Sequence, residues 1–157
     1  MNFGYLAQEK INGMRFYFYA IFMTILCCAC TEDEGQINNE NPFLLNPNIN
    51  ITLNLNLPQY NNLTFNGTTH ELLGLGNKGI VIYNTNGSQY VAFDMSDPNH
   101  IPNRCSKIEI NGIEGTCSCR DGNKYNLYTG EKIGGEPGFP LLRYNAFREG
   151  NNLTIRN

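Results

Sequence analysis

Three cysteines in the C-terminal half have the chemistry to bind a metal or form a disulfide: Cys105, Cys117 and Cys119. Thiolates are metal ligands and nucleophiles, and two neighbouring thiols can oxidise to a disulfide. The sequence alone leaves all three pairings among these cysteines open. The cysteine left over is then either a buried thiol or a reactive, metal-binding thiol that exchanges with the bridge.

Other polar groups lie just upstream of these cysteines. His100, Cys117 and one further cysteine would make an incomplete zinc or copper site, which requires reduced thiols. Asp94 and Asp97 form a carboxylate pair, but spacing places no base or nucleophile beside them, so we expect a solvated loop. We predict no catalytic residue, and a protein that is not an enzyme is favoured.

The N-terminus carries a targeting segment. Met14-Arg15 precede an apolar run that is too short to span a bilayer but is typical of the core of a secretory signal. The run ends in LCCAC, which resembles a bacterial lipobox, and this implies cleavage before Cys30 and lipid attachment to its sulfur. The alternatives are lipidation at Cys28, a plain cleaved signal or a short membrane anchor.

These features predict four segments. Residues 1–13 are an upstream extension from a misassigned start codon, and residues 14–29 are the lipoprotein signal peptide. Residues 30–48 are the lipidated cysteine and a polar, flexible tether, and residues 49–157 are the folded domain.

The residues after Cys30 bear on localisation. Thr31-Glu32-Asp33-Glu34 resembles the acidic export signal of lipoproteins from Bacteroidota-type Gram-negative bacteria. This implies an outer-membrane lipoprotein exposed at the cell surface, whereas the alternative is a solvated acidic start of the tether. Both placements are extracytoplasmic, and both allow disulfides.

Composition limits the possible partners. From Cys30 onward there are nine basic and thirteen acidic residues and no basic cluster. A nucleic-acid partner is excluded on this basis, because phosphate binding needs a concentrated positive surface. The predicted contact is with a membrane through the N-terminal lipid, and the sequence names no protein partner.

The mature chain predicts short strands and tight turns. INITLNLNL at residues 49–57 alternates apolar and polar residues, as a half-buried strand does. Hairpins are predicted for GIVIYN with QYVAFD, for residues 107–117 around Asn111-Gly112, and for LLRYNAF with LTIRN. KYNL is a further short strand, and the Gly/Pro-rich segment before Pro140 is an irregular loop. We therefore expect an all-β domain of small stacked antiparallel sheets.

The order of parts from about Gly79 to Asn157 resembles a Rieske 2Fe–2S domain. In that family a strand leads to the first ligand loop, a hairpin leads to the second, and a G-x-x-[FY]-[DN]-x-x-[TS]-G stretch follows. A proline loop then precedes a P-L-x-x-[FY] strand. Gly122–Gly130 and Pro140–Tyr144 fit these two patterns.

The cluster ligands of that family are largely replaced in this chain. A Rieske cluster takes two cysteines and two histidines. The resemblance puts Asp97, Asn99, Cys117 and Arg120 at the four ligand positions, so only one can ligate in the usual way. Both histidines, His70 and His100, precede Cys117, so no shift of register restores a Cys-x-x-His pair.

The resemblance also implies a disulfide between Cys105 and Cys119, which would tie the two ligand loops and leave Cys117 free. Closing a loop of this length contributes about 3 kcal/mol in the chain-entropy model. The predicted function is a membrane-anchored lipoprotein with a degenerate Rieske-like domain that lacks a cluster, binds no metal and has a structural or interaction role. The alternatives are a 2Fe–2S electron carrier with atypical ligands and a thiol–disulfide exchanger that uses Cys117 and Cys119.

Overall fold

The computed structural model describes residues 41–157. The predicted extension, signal peptide, lipidation site Cys30 and acidic segment lie outside these residues. Within residues 41–157 there is no α-helix, and no helix is long and apolar enough to cross a membrane. The expectation of an all-β domain with small antiparallel sheets is confirmed.

Ten strands form two antiparallel sheets. The six-stranded sheet has the order β1-β10-β9-β4-β3-β2, and the four-stranded sheet has the order β5-β6-β7-β8. In chain order the strands are β1 (Asn50–Asn54), β2 (Thr69–Leu72), β3 (Ile80–Asn84), β4 (Tyr90–Asp94), β5 (Ile108–Asn111), β6 (Glu114–Cys117), β7 (Lys124–Asn126), β8 (Lys132–Gly134), β9 (Arg143–Glu149) and β10 (Asn152–Arg156). A 3-10 helix, Asn61–Thr64, lies between β1 and β2.

Strands β3 and β4 are buried on both faces of the six-stranded sheet. Ile80 and Ile82 of β3 enter one apolar cluster, whereas Val81 and Tyr83 enter a second. This explains why the two strands are continuous apolar runs and do not alternate with polar residues. The second cluster also holds residues of the four-stranded sheet, so it joins the two sheets. Each fully buried large side chain contributes roughly 1.5–3 kcal/mol.

The predicted hairpins are present, with small shifts. β3 pairs with β4, β5 with β6, and β9 with β10. The turn between β5 and β6 is Gly112-Ile113, one residue later than predicted, because Asn111 pairs with Glu114. Gly112 has a φ of 61°, which suits a tight hairpin.

The first strand is shorter than predicted. It ends at Asn54, and Leu57 is 42% exposed although the alternation placed it inward. The chain turns here, because the Leu57 amide donates to the Asn54 carbonyl at 3.0 Å and the Tyr60 amide donates to the Leu57 carbonyl at 3.0 Å. Ile49, Leu53 and Leu55 are buried as expected.

Two edge strands, β2 and β8, were not predicted from the sequence, and β8 ends at Gly134, where the segment expected to be irregular begins. The described end of the predicted tether also contacts the domain. Leu44 is buried in the first apolar cluster, and the Asn41 side chain donates to the Pro98 carbonyl at 2.7 Å. Residues 41–48 therefore pack against the domain.

Candidate functional site

Three loops meet at the ends of the central strands. Loop 1, residues 97–106, follows β4; loop 2, residues 118–123, connects β6 to β7; and loop 3, residues 135–142, connects β8 to β9. The base of loop 1 is closed by backbone bonds from Asp97 N to Ser106 O at 2.8 Å and from Ile108 N to Met95 O at 2.7 Å. The sheets thus present both predicted ligand segments as ordered loops.

A disulfide ties loop 1 to loop 2. It joins Cys105 to Cys119, with 4.7 Å between their Cα atoms, and Cys117 is the free cysteine of the described residues. The predicted pairing is confirmed. Cys117 is the last residue of β6 and is buried in the cluster between the sheets, so the backbone of the strand fixes its position.

Asp97 is fully buried at the start of loop 1. Its Oδ1 accepts hydrogen bonds from the Tyr125 hydroxyl at 2.7 Å and the Asn99 backbone amide at 2.8 Å. Its Oδ2 accepts one from Asn123 Nδ2 at 2.9 Å. Burial favours the neutral acid, but the hydrogen bonds from Asn123, Tyr125 and Asn99 together hold the pKa of Asp97 below its ordinary value. Asp97 is therefore a buried carboxylate with protein donors on both oxygens.

Asn99 connects loop 1 to loop 3. Its Nδ2 donates to the Tyr125 hydroxyl at 2.8 Å and to the Phe139 carbonyl at 2.9 Å, and its Oδ1 accepts from the Phe139 amide at 2.7 Å. The Tyr125 hydroxyl accepts from Asn99 and donates to Asp97, so one phenol links both side chains. Burial, followed by the hydrogen bond to Asp97, raises the pKa of Tyr125 well above its ordinary value.

The Cys117 thiol faces the same side-chain network. Its Sγ lies 3.4 Å from His100 Nε2 and receives the Cys119 backbone amide at 3.4 Å. Burial raises the pKa of Cys117 to about 12, against the lowering effect of the Cys119 amide. In the metal-free state the thiol is therefore protonated at neutral pH, which disfavours the reading of Cys117 as a reactive nucleophile.

Arg120 does not join the other predicted ligand positions. Its side chain is exposed, and its φ of 62° makes it the one non-glycine residue in the left-handed region between residues 41 and 157. This conformation reverses the chain immediately after Cys119 and turns loop 2 back toward β7. A guanidinium stays protonated in proteins and has no lone pair for a metal.

The structure corrects the interpretation of the carboxylate pair. Asp94 and Asp97 are both fully buried, so the prediction of a solvated loop is wrong. Asp94 Oδ2 accepts from the Asn77 amide at 2.6 Å and the Tyr144 hydroxyl at 2.9 Å, and Oδ1 accepts from the Ser96 amide at 2.8 Å. These donors replace the water that an exposed carboxylate would bind.

Sequence reasoning missed three residues of the network: Tyr125, Asn123 and Asp121. Asn123 Nδ2 bridges Asp97 Oδ2 and Asp121 Oδ2, at 2.9 and 3.1 Å. Asn123 is the last residue of loop 2 and Tyr125 lies in β7, two residues further on, and both are inside the Gly122–Gly130 pattern. Their spacing of two at the start of a short strand was the available signal that both side chains face loop 1.

The four predicted ligand positions do not fit a 2Fe–2S cluster. A Rieske cluster needs two thiolates and two imidazoles aimed at the irons. Here Asp97 and Asn99 use their polar atoms on protein partners, and Arg120 points to solvent. Of the four, only Cys117 has the right ligand chemistry.

Among comparisons with known proteins, the one with solved structures found likenesses. No family model matches the chain, and no curated protein matches it. Among solved structures, the chain is similar to one from a complex of reduced oxygenase and oxidized ferredoxin in carbazole 1,9a-dioxygenase. The identity is 15% and the TM-score 0.46, with 69% of this chain and 92% of the other covered.

Proposed function

We propose that this protein carries a degenerate Rieske-like domain without a 2Fe–2S cluster, and that it has a structural or interaction role rather than a catalytic one. The observation that carries the proposal is that other residues stand at the two cluster-ligand positions of loop 1. Asp97 and Asn99 hold Tyr125, Asn123 and loop 3 through short hydrogen bonds, where the resemblance expects a cysteine and a histidine.

The loops are tied together without a cluster. The Cys105–Cys119 bridge links loop 1 to loop 2, and the two hydrogen bonds between Asn99 and Phe139 link loop 1 to loop 3. Each buried hydrogen bond of this kind contributes about 1 kcal/mol net, and the disulfide about 3 kcal/mol. These ties support loops that are ordered by the protein itself.

The two alternative functions have less support. A 2Fe–2S electron carrier needs ligands that Asn99 and Arg120 do not offer in the observed arrangement. A thiol–disulfide exchanger needs an accessible thiolate, whereas the Cys117 side chain is 3% exposed and the pKa of its thiol is raised to about 12.

The proposal includes an extracytoplasmic location, in which lipid on Cys30 anchors the protein to the outer membrane. It also includes exposure of the domain at the cell surface. The lipobox-like sequence and the acidic residues after it support this placement. The Cys105–Cys119 disulfide is compatible with it, because such bridges persist in oxidising compartments. The protein that the domain contacts is left open.

The test compares the native chain with a variant in which the ligands are restored. Both are produced in cells that assemble iron–sulfur clusters, and iron, acid-labile sulfide and visible absorption are measured. The variant Asp97→Cys/Asn99→His/Arg120→His has the four ligand types at the aligned positions. We expect no iron or sulfide in the native chain. Stoichiometric iron and sulfide in the native chain would refute the proposal, whatever the variant binds.

A further inference from the structure

A second set of ligand groups lies beside the degenerate positions, in loops 1 and 2. His100 Nε2 is 3.4 Å from Cys117 Sγ, 3.4 Å from Asp121 Oδ2 and 3.6 Å from Asp97 Oδ2. His100, Cys117, Cys119 and Asp121 offer ligand atoms that all lie within 4.8 Å of one another. His100 and Asp121 are not aligned with any cluster ligand, so this group shares only Cys117 with the Rieske pattern.

The imidazole is oriented as metal-bound histidines commonly are. His100 Nδ1 lies 3.2 Å from the Ile101 carbonyl oxygen, which can only accept a hydrogen bond. When the proton of a neutral ring is on Nδ1, this contact is a hydrogen bond and the lone pair lies on Nε2. A backbone carbonyl that accepts from the non-ligating nitrogen is the usual outer-shell partner of a ligating histidine.

The centre of the group needs a positive charge. The Nε2 lone pair faces two carboxylate oxygens, and Asp97 and Asp121 are bridged by a single neutral donor, Asn123 Nδ2. A cation bound between the groups would relieve the repulsion. The thiol adds a soft ligand, which zinc prefers.

The spacing suits one small cation. In a tetrahedral zinc site the bonds are about 2.0–2.3 Å, which puts neighbouring ligand atoms roughly 3.3–3.6 Å apart. The distances from His100 Nε2 to its three neighbours are in this range. The Asp121 side chain is partly exposed, and both of its oxygens accept hydrogen bonds from Asn123, at 3.0 and 3.1 Å. Calcium and magnesium prefer oxygen ligands only, so nitrogen and sulfur favour zinc over them.

We propose that loops 1 and 2 bind a single zinc ion through His100 Nε2, Cys117 Sγ and Asp121 Oδ2. The fourth donor is Asp97 Oδ2, which accepts one hydrogen bond from Asn123 and keeps a second lone pair for the metal. The disulfide stays intact, because the two carboxylates serve as zinc ligands in place of a second cysteine. Cys119 contributes its backbone amide, which donates to the Cys117 sulfur. On binding, zinc replaces the thiol hydrogen of Cys117, and that proton is released to solvent.

The test uses the full chain with Cys27, Cys28 and Cys30 replaced by serine, so that Cys117 is the one cysteine outside the disulfide. Zinc binding is measured by calorimetry on the oxidised protein. Cobalt is then used as a probe, because a thiolate ligand gives a sulfur-to-cobalt charge-transfer band. We expect one ion per chain, a charge-transfer band, and no comparable binding of magnesium.

Variants separate the ligands from the background. On that serine background, Cys117→Ser should abolish the charge-transfer band. His100→Gln removes a ligand, so it should lower the zinc affinity by at least the 10–100-fold that the loss of an outer-shell partner costs. His70→Gln is the matched control, because His70 lies on β2 and contacts the Tyr60 ring, away from the loops. It should leave the zinc affinity unchanged.

Absence of zinc binding by the oxidised background protein would overturn the inference. So would cobalt binding without a thiolate band, or equal loss of affinity in His100→Gln and His70→Gln. The proposal of a cluster-free domain is judged separately by iron and sulfide, so the two can fail independently. If Cys117→Ser does not fold, His100→Gln, with its partly exposed side chain, still decides the outcome.

Discussion

At the scale of single residues, two tyrosine–aspartate pairs stabilise the ends of the central strands. The Tyr144 hydroxyl donates to Asp94, and the Tyr125 hydroxyl donates to Asp97, each from a fully buried ring. Both carboxylates also accept backbone amides from the turns they face. The residues that line the site are therefore held by hydrogen bonds to charged acceptors, which are stronger than bonds between neutral groups.

The ionisation of Tyr144 limits the stability of the folded protein at alkaline pH. Burial, and then the Asp94 charge, raise the pKa of Tyr144 above the value of about 10 for an unfolded tyrosine. Because the pKa of Tyr144 is higher in the folded than in the unfolded state, its protonated form adds to the free energy of unfolding. This contribution is complete below about pH 10 and is lost as the pH rises further. We expect Tyr144→Phe to lower the free energy of unfolding by about 1–3 kcal/mol at pH 8. Above pH 10, the free energy of unfolding of this variant should fall less steeply than that of the native chain.

Urea unfolding at a series of pH values checks this, with Tyr128→Phe as the control because Tyr128 is exposed. An alkaline decline in Tyr144→Phe as steep as in the native chain would show that Tyr144 ionises normally in the folded state.

The cysteines should differ in their effect on stability. In the presence of a chelator, Cys117→Ser should change the free energy of unfolding little, because the thiol makes only long contacts. Cys119→Ser removes the bridge to Cys105 and should cost about 3 kcal/mol. Denaturation midpoints of the two variants measure the contrast. Equal midpoints would mean that the bridge adds nothing to the native state.

At the scale of elements, the hairpins follow from the sequence but the arrangement of the loops does not. Asn-Gly dipeptides and apolar runs located three hairpins, because turn chemistry and strand periodicity are local properties. Strands β2 and β8 were not predicted, because they are edge strands of four and three residues with few buried side chains. The contact of Asn99 with Phe139 spans 40 residues, and no local pattern encodes it.

Loop 3 depends on a glycine beside Asn99. A Cβ built on Gly138 would collide with Asn99 Oδ1, so Gly138→Ala should displace the Asn99 side chain and break its bonds to Phe139. We expect a loss of about 1–3 kcal/mol. In an Asn99→Ala background the same change should cost little, because the colliding atom is gone. A full double-mutant cycle by urea unfolding measures this, and additive costs would contradict the assigned contact.

At the scale of the whole molecule, the sequence predicts a lipoprotein signal ahead of a domain whose first strand starts at Asn50. The resemblance supplied the Cys105–Cys119 pairing, which spacing alone left open, and the structure confirmed it. The sequence already joined His100 and Cys117 in an incomplete metal site. The approach of Asp121 and Asp97 to His100 could not be foreseen, because it depends on how loops 1 and 2 lie against each other.

Membrane attachment should require Cys30. In Cys30→Ser the sulfur that would receive the lipid is absent, so we expect an unprocessed precursor that incorporates no labelled palmitate. Cys28→Ser is the matched control and should be processed and labelled normally. Labelling that persists in Cys30→Ser but disappears in Cys28→Ser would move the lipidation site to Cys28.

Native mass spectrometry of the chain with Cys27, Cys28 and Cys30 replaced by serine tests the central claim most directly. The sample is produced in cells that assemble iron–sulfur clusters and is sprayed without added metal or reductant. Apart from bound zinc, the account predicts a mass two hydrogens below that of the fully reduced chain, because Cys105 and Cys119 are joined, with no added iron or sulfide. A mass increased by two irons and two sulfides would contradict it, because the loops would then hold the cluster that their side chains were inferred to replace.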